Sequence, residues 1–321
     1  MVSIITVNFN QTDATCALLN SIRRQDWRDL EVIVVDNGSR DNPQRLLETR
    51  YPEVQVLRSE QNLGFAGGNN LGLAAARGEF IFFVNNDAEL TEGCIGRLLD
   101  VFSKYPRTGM ASPLICYFPA KNQSADLIQY AGMTPVHPFT ARNRTIGQGE
   151  NDEGQYRDIL PSAYAHGAAM MVPRRVIDAV GPMEEDFFLY YEELDWAERI
   201  RRAGFEVWVE PRARVYHHES LTMQPLGAMK TYFLTRNRIR FMRRNFGGAN
   251  LLVFFLFLLL FTLPKNTLLY ALRGQWQSLK AFWQGVAWHA GFKGSLWERA
   301  AQVKVAPGRF KPAAAGQHTP V

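Results

Sequence analysis

The sequence predicts an α/β fold, a mainly parallel sheet flanked by helices, with a helical C-terminal tail that associates with a membrane. Three observations predict it. Short, continuously apolar runs rich in β-branched residues recur through the first hundred residues, as strands buried on both faces do. Segments of helical period separate them. From Met229 onward the chain becomes basic and tryptophan-bearing, which divides it into residues 1–228 and 229–321.

The elements follow in order. "VSIITVN" (2–8) is a strand, and "TDATCALLNSIRRQ" a helix with Thr12 or Asp13 as its cap. "EVIVVD" (31–36) is a second strand. Residues 41–50 form a short helix, with Asp41 or Asn42 ahead of Pro43. "VQVLR" (54–58) is the third strand, "AGGNNLGLAAARG" (66–78) a helix closed by Gly78, and "EFIFFV" (79–84) the fourth strand. A helix over 91–104 and the strand "GMASPLICYF" come next. The polar, Gly- and Pro-bearing stretch 119–160 reads as loops and short strands over an active face. "SAYAHGAAMMVP" (162–173) reads as one buried strand. "EELDWAERIRRAG" (192–204) is a helix with Leu194, Ala197, Ile200 and Ala203 along one face and Gly204 as its stop. "FEVWVE" and "ARVYHH" read as two further strands.

Composition is that of a globular protein, 46% hydrophobic and 21% charged over 321 residues. Cys16, Cys94 and Cys116 match no metal or redox spacing and read as buried thiols of a reducing compartment. Met1 runs into a strand with no basic leader, so a cytoplasmic start is expected. The formal charge is −8 over residues 1–228 and +13 from Met229 onward. A basic tail on an acidic front points to an anionic partner, nucleic acid or a phospholipid surface. "LLVFFLFLLLFTL" (251–263) carries no charge and ends at Pro264, short of the roughly 20 apolar residues that span a bilayer. Trp276, Leu279, Trp283, Val286 and Ala290 share a helical stripe. Aromatic and basic residues together on an amphipathic stretch suit a bilayer interface lying on, rather than crossing, the membrane. The apolar run offers no spaced phosphate contacts or stacking platforms, which argues against nucleic acid.

In an open parallel sheet, ligands bind at the carboxyl ends of strands. Three polar tips fall there: Asn8 and Asn10 after the first strand, "DNGS" (36–39) after the second, and "NND" (85–87) after the fourth. One such tip is a turn; three on one edge make a site. "TVNFNQ" has no glycine, so neither a dinucleotide fingerprint nor a P-loop holds a diphosphate, and a divalent ion at Asp87 would supply the missing positive charge. "NLGFAGGNN" (62–70) either faces an anion with its N–H groups or packs a helix tightly on the sheet. Glu192, Glu193 and Asp195 open a helix. Acids there commonly compensate the dipole, but the aromatic "DFFLYY" (186–191) just before them would desolvate a carboxylate and raise its pKa, as a general base requires. "VYHHES" (215–220) adds two histidines at a strand end, the first a fair metal ligand.

Taken in order, "VSIITVNFN", "VIVVDNGS", "NLGFAGGNNLGLAAARGEFIFFVNND", "HGAAMMVPRRVIDAVGPMEEDFFLYYEELDWAERIRRAGF" and "VYHHES" resemble the family-2 inverting glycosyltransferases of the GT-A nucleotide-sugar-binding fold. The likeness covers roughly residues 2–245 and is closest to the rhamnosyltransferase branch that builds bacterial surface polysaccharides. The resemblance implies an Mg²⁺- or Mn²⁺-dependent transfer from a nucleotide sugar, dTDP-rhamnose or a uridine-linked hexose, to a glycan or glycolipid acceptor at the inner face of the cell membrane. It implies a donor site around Asn8, Asn10, Asp36, Asn37, Gly64, Asn69 and Asn86, with Asp36 on the nucleoside. "NND" takes the place of the family's Asp-x-Asp, so Asp87 and His217 become the metal contacts. Glu193 falls where the catalytic base does, with Asp195 as the alternative, and Glu192, His166 and Tyr190 lie on the acceptor side. A nucleotidyltransferase also uses a parallel sheet and a metal-bound Asp, but wants a glycine-rich, basic loop where "NFNQTD" stands.

Overall fold

A computed structural model of the chain describes residues 1–119, 126–218 and 227–292. Its centre is one mixed sheet of ten strands: β1 (Val2–Asn8), β2 (Leu30–Asn37), β3 (Val54–Ser59), β4 (Phe80–Val84), β5 (Ala88–Leu90), β6 (Thr108–Tyr117), β7 (Ile128–Tyr130), β8 (Leu160–Ser162), β9 (Ala169–Pro173) and β10 (Glu206–His217). The strand order is β3-β2-β1-β4-β9-β6-β10-β5, with β7 on β6 and β8 on β10. The parallel expectation holds for β1–β4 and for β6 beside β10. Strand β9 runs against both β4 and β6, and β5 runs against β10. Register decides what meets at the sheet edge. Asn8 pairs with Asp36 across β1 and β2, and His217 pairs with Ala88, one residue from Asp87.

The alternation along the strands sends side chains to two cores. Ile5, Ile33, Val35 and Phe83 face one layer, which holds Trp196, Ile200, Ile239 and Phe241. Ile4, Val32, Val34 and Phe82 face the other, which holds Leu18, Leu98 and Val101. Helices α1 (Thr12–Arg23), α2 (Gln44–Arg50), α3 (Gly64–Ala75), α4 (Cys94–Lys104), α5 (Arg174–Val180) and α6 (Glu192–Arg202) flank the sheet. Helix α3 sits so near β1 that a Cβ at Gly72 would lie 2.5 Å from Ile5 Cγ2. Tight packing therefore accounts for this glycine. All three cysteines are buried and free, and burial pushes the Cys94 and Cys116 thiols up to about 12.

Several sequence expectations are corrected. Residues 162–173 are not one strand: β8 and β9 are separated by a loop, which frees His166 from the sheet. "FEVWVE" and "ARVYHH" are one strand, β10, with a register shift between Glu210 and Arg214 absorbing the proline between them. Gly78 does not stop α3, which ends at Ala75. Ala203 is exposed, although Leu194, Ala197 and Ile200 are buried as expected.

The basic segment forms α7 (Gly227–Asn245), and it faces inward. Arg240 pairs with Asp186 at 2.6 Å, and Arg244 pairs with Glu184 and Asp195 at 2.9 and 3.1 Å. Arg236 is 3% exposed and Asn237 fully buried. Two of the tail's basic residues, Arg240 and Arg244, therefore meet the acidic front of their own chain. Beyond it, α8 (Gly248–Phe257), a π-helical stretch (Leu258–Thr262) and α9 (Leu263–Leu272) run as one 25-residue helix, with a mean hydropathy of 2.0 over its most apolar 18 residues. Pro264 does not end the apolar helix: it falls in the first turn of α9, after wider turns that tolerate its missing N–H. At 1.5 Å per residue the helix is about 37 Å long, enough to cross a bilayer, which the apolar run alone was not. Helix α10 (Trp276–Ala287) buries Ala281, Phe282 and Gly285 and leaves Trp276 and Trp283 exposed. The last of the four tail tryptophans, Trp297, lies outside the described residues, as do Glu219 and Ser220 of "VYHHES".

Candidate active site

The polar strand tips and the start of α6 open on one cavity of about 360 Å³. Asn37, Gly64, Asn69, Asn86, Asp87, His166, Tyr190, Glu192, Glu193 and His217 all line it. A metal-type aspartate and a base-type glutamate, distant in sequence, thus border a single space.

At the strand-tip side, His217 Nδ1 lies 2.9 Å from Gln129 Oε1. That amide oxygen can only accept, so Nδ1 carries a proton, and in the neutral ring Nε2 keeps its lone pair. Nε2 lies 3.2 Å from Asp87 Oδ1 and accepts from Asn85 Nδ2 at 3.2 Å. Carboxylate and bare imidazole nitrogen converge because the His218 N–H donates to the Asp87 carbonyl at 3.0 Å, closing β10 onto the strand tip. Among the described residues no group of three His, Cys, Asp or Glu side chains converges as a complete metal cage. His166 is half-buried beside His217, with ring centroids 6.0 Å apart. Its Nδ1 accepts the Ala168 N–H, and burial holds its pKa down at about 3, so it is neutral and carries its proton on Nε2.

Glu192 and Glu193, which also line the cavity, start α6. Glu192 is 3% exposed, and one carboxylate oxygen of each glutamate is buried without a hydrogen-bond partner. Burial pushes Glu193 up to about 7, and burial with the neighbouring Glu193 charge pushes Glu192 well above the carboxylate range. The aromatic run supplies this environment: Phe188, Leu189 and Tyr190 line the cavity. Its backbone is unusual, since Phe188, Tyr190 and Tyr191 have φ of 63°, 70° and 74°. Gly64 lies against it so tightly that a Cβ would come within 2.2 Å of the Phe188 carbonyl.

Four expected site residues are not on the cavity wall. Asn8, Asn10 and Asp36 form a network behind it. Asp36 is fully buried and receives Arg58 Nη1 at 2.5 Å and Asn8 Nδ2 at 3.1 Å. Asn10, in a left-handed conformation, accepts the Arg40 N–H and ties its own N–H to Ser39. Asp36, expected on the nucleoside, is enclosed between Arg58 and Asn8 and does not line the cavity. Asp195 is corrected as the alternative base. It is 1% exposed, and Arg199, Arg244 and Asn245 occupy its oxygens. Asn37, by contrast, lines the cavity and stitches the turn before α3, donating to Asn62 Oδ1 and the Gly64 carbonyl, both at 3.0 Å.

A family model, Glycosyl transferase family 2, matches residues 3–181, more than half of the chain. The chain belongs to glycosyl transferase family 2. This family 2 enzyme is 29% identical over 235 residues to the N-acetylglucosaminyl-diphospho-decaprenol L-rhamnosyltransferase of Mycobacterium tuberculosis, covering 68% of this chain and 76% of the relative. It is 25% identical over 215 residues to the low-salt glycan biosynthesis hexosyltransferase Agl10 of Haloferax volcanii, covering 64% and 63%. Among solved structures, residues 1–349 of TarS from S. aureus superpose with a TM-score of 0.55 at 17% identity, covering 89% of this chain and 80% of that one. The mannosyltransferase PcManGT from Pyrobaculum calidifontis, in complex with GDP-Man and Mn²⁺, gives 0.55 at 16%, covering 93% and 77%. The expected GT-A fold is borne out, and the protein is a glycosyltransferase.

Sequence reasoning about the family 2 enzyme missed Gln129, Lys230 and Phe65. Gln129 lies in the stretch that reads as loops and short strands over an active face, and nothing in its neighbourhood marks it as the partner of His217. Lys230, the one Lys or Arg among the lining residues, was counted with the tail rather than with the site. Phe65 lay inside the glycine run, where attention to backbone freedom hid a side chain that lines the cavity.

Proposed function

We propose that the enzyme transfers L-rhamnose from dTDP-rhamnose, with inversion, to a hydroxyl of a lipid-linked bacterial glycan. One observation carries the reading: Asp87, His217 and Glu193 all line the same cavity. The activity of the mycobacterial relative, an N-acetylglucosaminyl-diphospho-decaprenol L-rhamnosyltransferase, supports the rhamnose donor and the diphospho-polyprenol acceptor.

In this reading Glu193, poised near pH 7, removes the acceptor hydroxyl proton as that oxygen attacks the anomeric carbon. The bond to the nucleoside diphosphate breaks on the opposite face, so the configuration inverts. Neutral His166 offers its Nε2–H to a sugar or acceptor oxygen. The carboxylate of Asp87 and the lone pair of His217 fit a divalent cation, Mg²⁺ or Mn²⁺, whose remaining ligands come from substrate phosphate and water. When bound, that cation would neutralise charge growing on the departing diphosphate. Gln129 holds the His217 ring in the ligating tautomer.

The enzyme is proposed to work at the cytoplasmic face of the membrane, lying on it. Leu252, Leu256, Leu259, Leu260, Leu268 and Leu272 are between 49% and 77% exposed along the 25-residue helix, and Trp276 extends the surface. The same helix packs Leu251, Phe254, Leu258 and Leu263 against the catalytic core. Those contacts span about 18 Å of its length, so crossing the bilayer would draw the polar catalytic domain into hydrocarbon. An in-plane helix buries its outer face in lipid without that cost. Leu256→Glu with Leu260→Glu should abolish flotation with anionic liposomes; undiminished flotation would refute the surface.

The donor is tested by screening nucleotide sugars for diphosphate release, with and without Mg²⁺ or Mn²⁺. Release from dTDP-L-rhamnose that EDTA abolishes is the expected result. Release from a UDP-hexose alone would replace the donor, and chelator-insensitive release would remove the cation.

A further inference from the structure

We propose that Asn237 and Arg236 of α7 are positioning residues for catalysis, clamping the turn that aims Glu192 and Glu193 into the cavity. The proposal rests on the reading of Glu193 as the base and names what holds that base in place.

The two glutamate carboxylates receive their hydrogen bonds from the backbone around their own turn, Tyr190 for Glu192, and Tyr191 and Leu194 for Glu193. Each has a buried carboxylate oxygen with no partner, so hydrogen bonding at that oxygen does not fix its direction. The direction is set by the backbone from which α6 starts. That backbone is the turn Phe187–Tyr191, in which three non-glycine residues have positive φ. L-residues hold such a conformation only where surrounding structure over-determines it. A turn of this kind left to itself relaxes, and both carboxylates move with it.

The surrounding structure is identifiable. Asn237 Nδ2 lies 2.9, 2.8 and 2.8 Å from the carbonyls of Phe187, Leu189 and Tyr190. Arg236 Nη2 donates to the carbonyls of Asp186 and Phe187 at 2.9 and 2.8 Å. Arg236 Nε in turn donates to Asn237 Oδ1 at 2.9 Å, which orients the amide with its N–H groups toward the turn. On the far side, the Phe65 N–H donates to the Phe188 carbonyl at 2.7 Å. Four consecutive carbonyls, Phe187 to Tyr190, thus accept from side chains or backbone outside the turn. Arg238 reaches the next residue, donating to the Tyr191 hydroxyl at 3.1 Å. Two buried, polar, adjacent residues in an otherwise amphipathic helix are costly to desolvate, and these carbonyls are what they satisfy.

The test uses the full chain, dTDP-L-rhamnose and a synthetic N-acetylglucosaminyl-diphospho-polyprenol acceptor. Asn237→Asp keeps the volume and the acceptor for Arg236 but loses the N–H donors. A misplacement of about 1 Å at the base should lower kcat by about 10²-fold, with the KM for dTDP-rhamnose within about threefold of wild type. The acid limb of the kcat–pH profile should also move, because the environment of the base changes with its position. Arg236→Lys, which keeps the charge but loses the Nε–H that orients the Asn237 amide, should lower kcat in the same sense and guards against an Asn237 variant that does not fold. Wild-type kcat per folded molecule and an unmoved pH profile in both variants would overturn the clamp. Glu193→Gln, assayed alongside, separates the two readings. If it is inactive while Asn237→Asp turns over normally, the clamp fails and the base stands. If it is active while Asn237→Asp is impaired, the base assignment fails and the clamp stands.

Discussion

Two carboxylate clusters sit within the same catalytic domain and differ in one respect. Around Asp36, the hydrogen-bonding capacity facing it is spent: Arg58 and Asn8 take its oxygens, and Thr15 and Ser39 complete Asn8. Around Glu192 and Glu193, burial is as deep for the carboxylate oxygens, but one oxygen of each has no partner. Both clusters begin from acids at the ends of regular elements, and the sequence patterns are equally suggestive. Saturation separates them. A buried carboxylate that is fully paired holds the scaffold; one left wanting a proton is available for chemistry. Asp195, three residues into α6, belongs with the first kind even though it lies two positions from Glu193.

The sharpest way to break this contrast is to remove the charge from each kind. Glu193→Gln should lower kcat by about 10²–10⁴-fold while leaving donor affinity unchanged. Asp195→Asn should spare kcat per folded molecule and lower the melting temperature. A fully active glutamine variant, or an Asp195→Asn that folds normally and is inert, would reverse the assignment. The second prediction concerns stability alone. Asp36→Ala strips a buried partner from Arg58 and Asn8 and should cost about 3–5 kcal/mol in urea unfolding. A loss under about 1 kcal/mol would show that the pair is dispensable to the fold. Smaller again is the effect of Gln129→Leu, which frees the His217 tautomer and should weaken activation by Mn²⁺ about 10–100-fold. An unchanged Mn²⁺ dependence would detach Gln129 from the site.

The contrast also explains what could be read in advance. Strands β1 to β4, and the convergence of "NND" with "VYHH", were legible because each is a local pattern: apolar runs that end in polar tips. Glu193 was legible because the aromatic residues that bury it adjoin it in sequence. The saturation of Asp36 was not legible, since its partner Arg58 comes from another strand and looks like any exposed basic residue. The inward-facing arginines of α7 were misjudged for the same reason. Net charge says that a partner is anionic, and here Asp186, Glu184 and Asp195 of the same chain answer for several of them. The long apolar helix was underestimated because Pro264 reads as a stop, whereas the preceding π-helical turns let the helix continue through it.

The smallest effect tests the unpaired state of Glu193 without any substrate. Burial raises its pKa from 4.5 to about 7, so the folded form binds the proton more tightly than the unfolded chain does. The linked stability is fully present below the unfolded value and is lost as pH rises through the folded one. Glutamine at this position carries no proton to lose. The melting temperature of Glu193→Gln relative to wild type should therefore rise between about pH 4.5 and pH 7 and level off above it. At about 1.4 kcal/mol per pKa unit the full shift is worth about 3 kcal/mol, and partial exposure of the side chain reduces it to about 2. If the difference between Glu193→Gln and wild type is flat from pH 4.5 to pH 8, Glu193 titrates like a solvated carboxylate, and the distinction between the two clusters disappears.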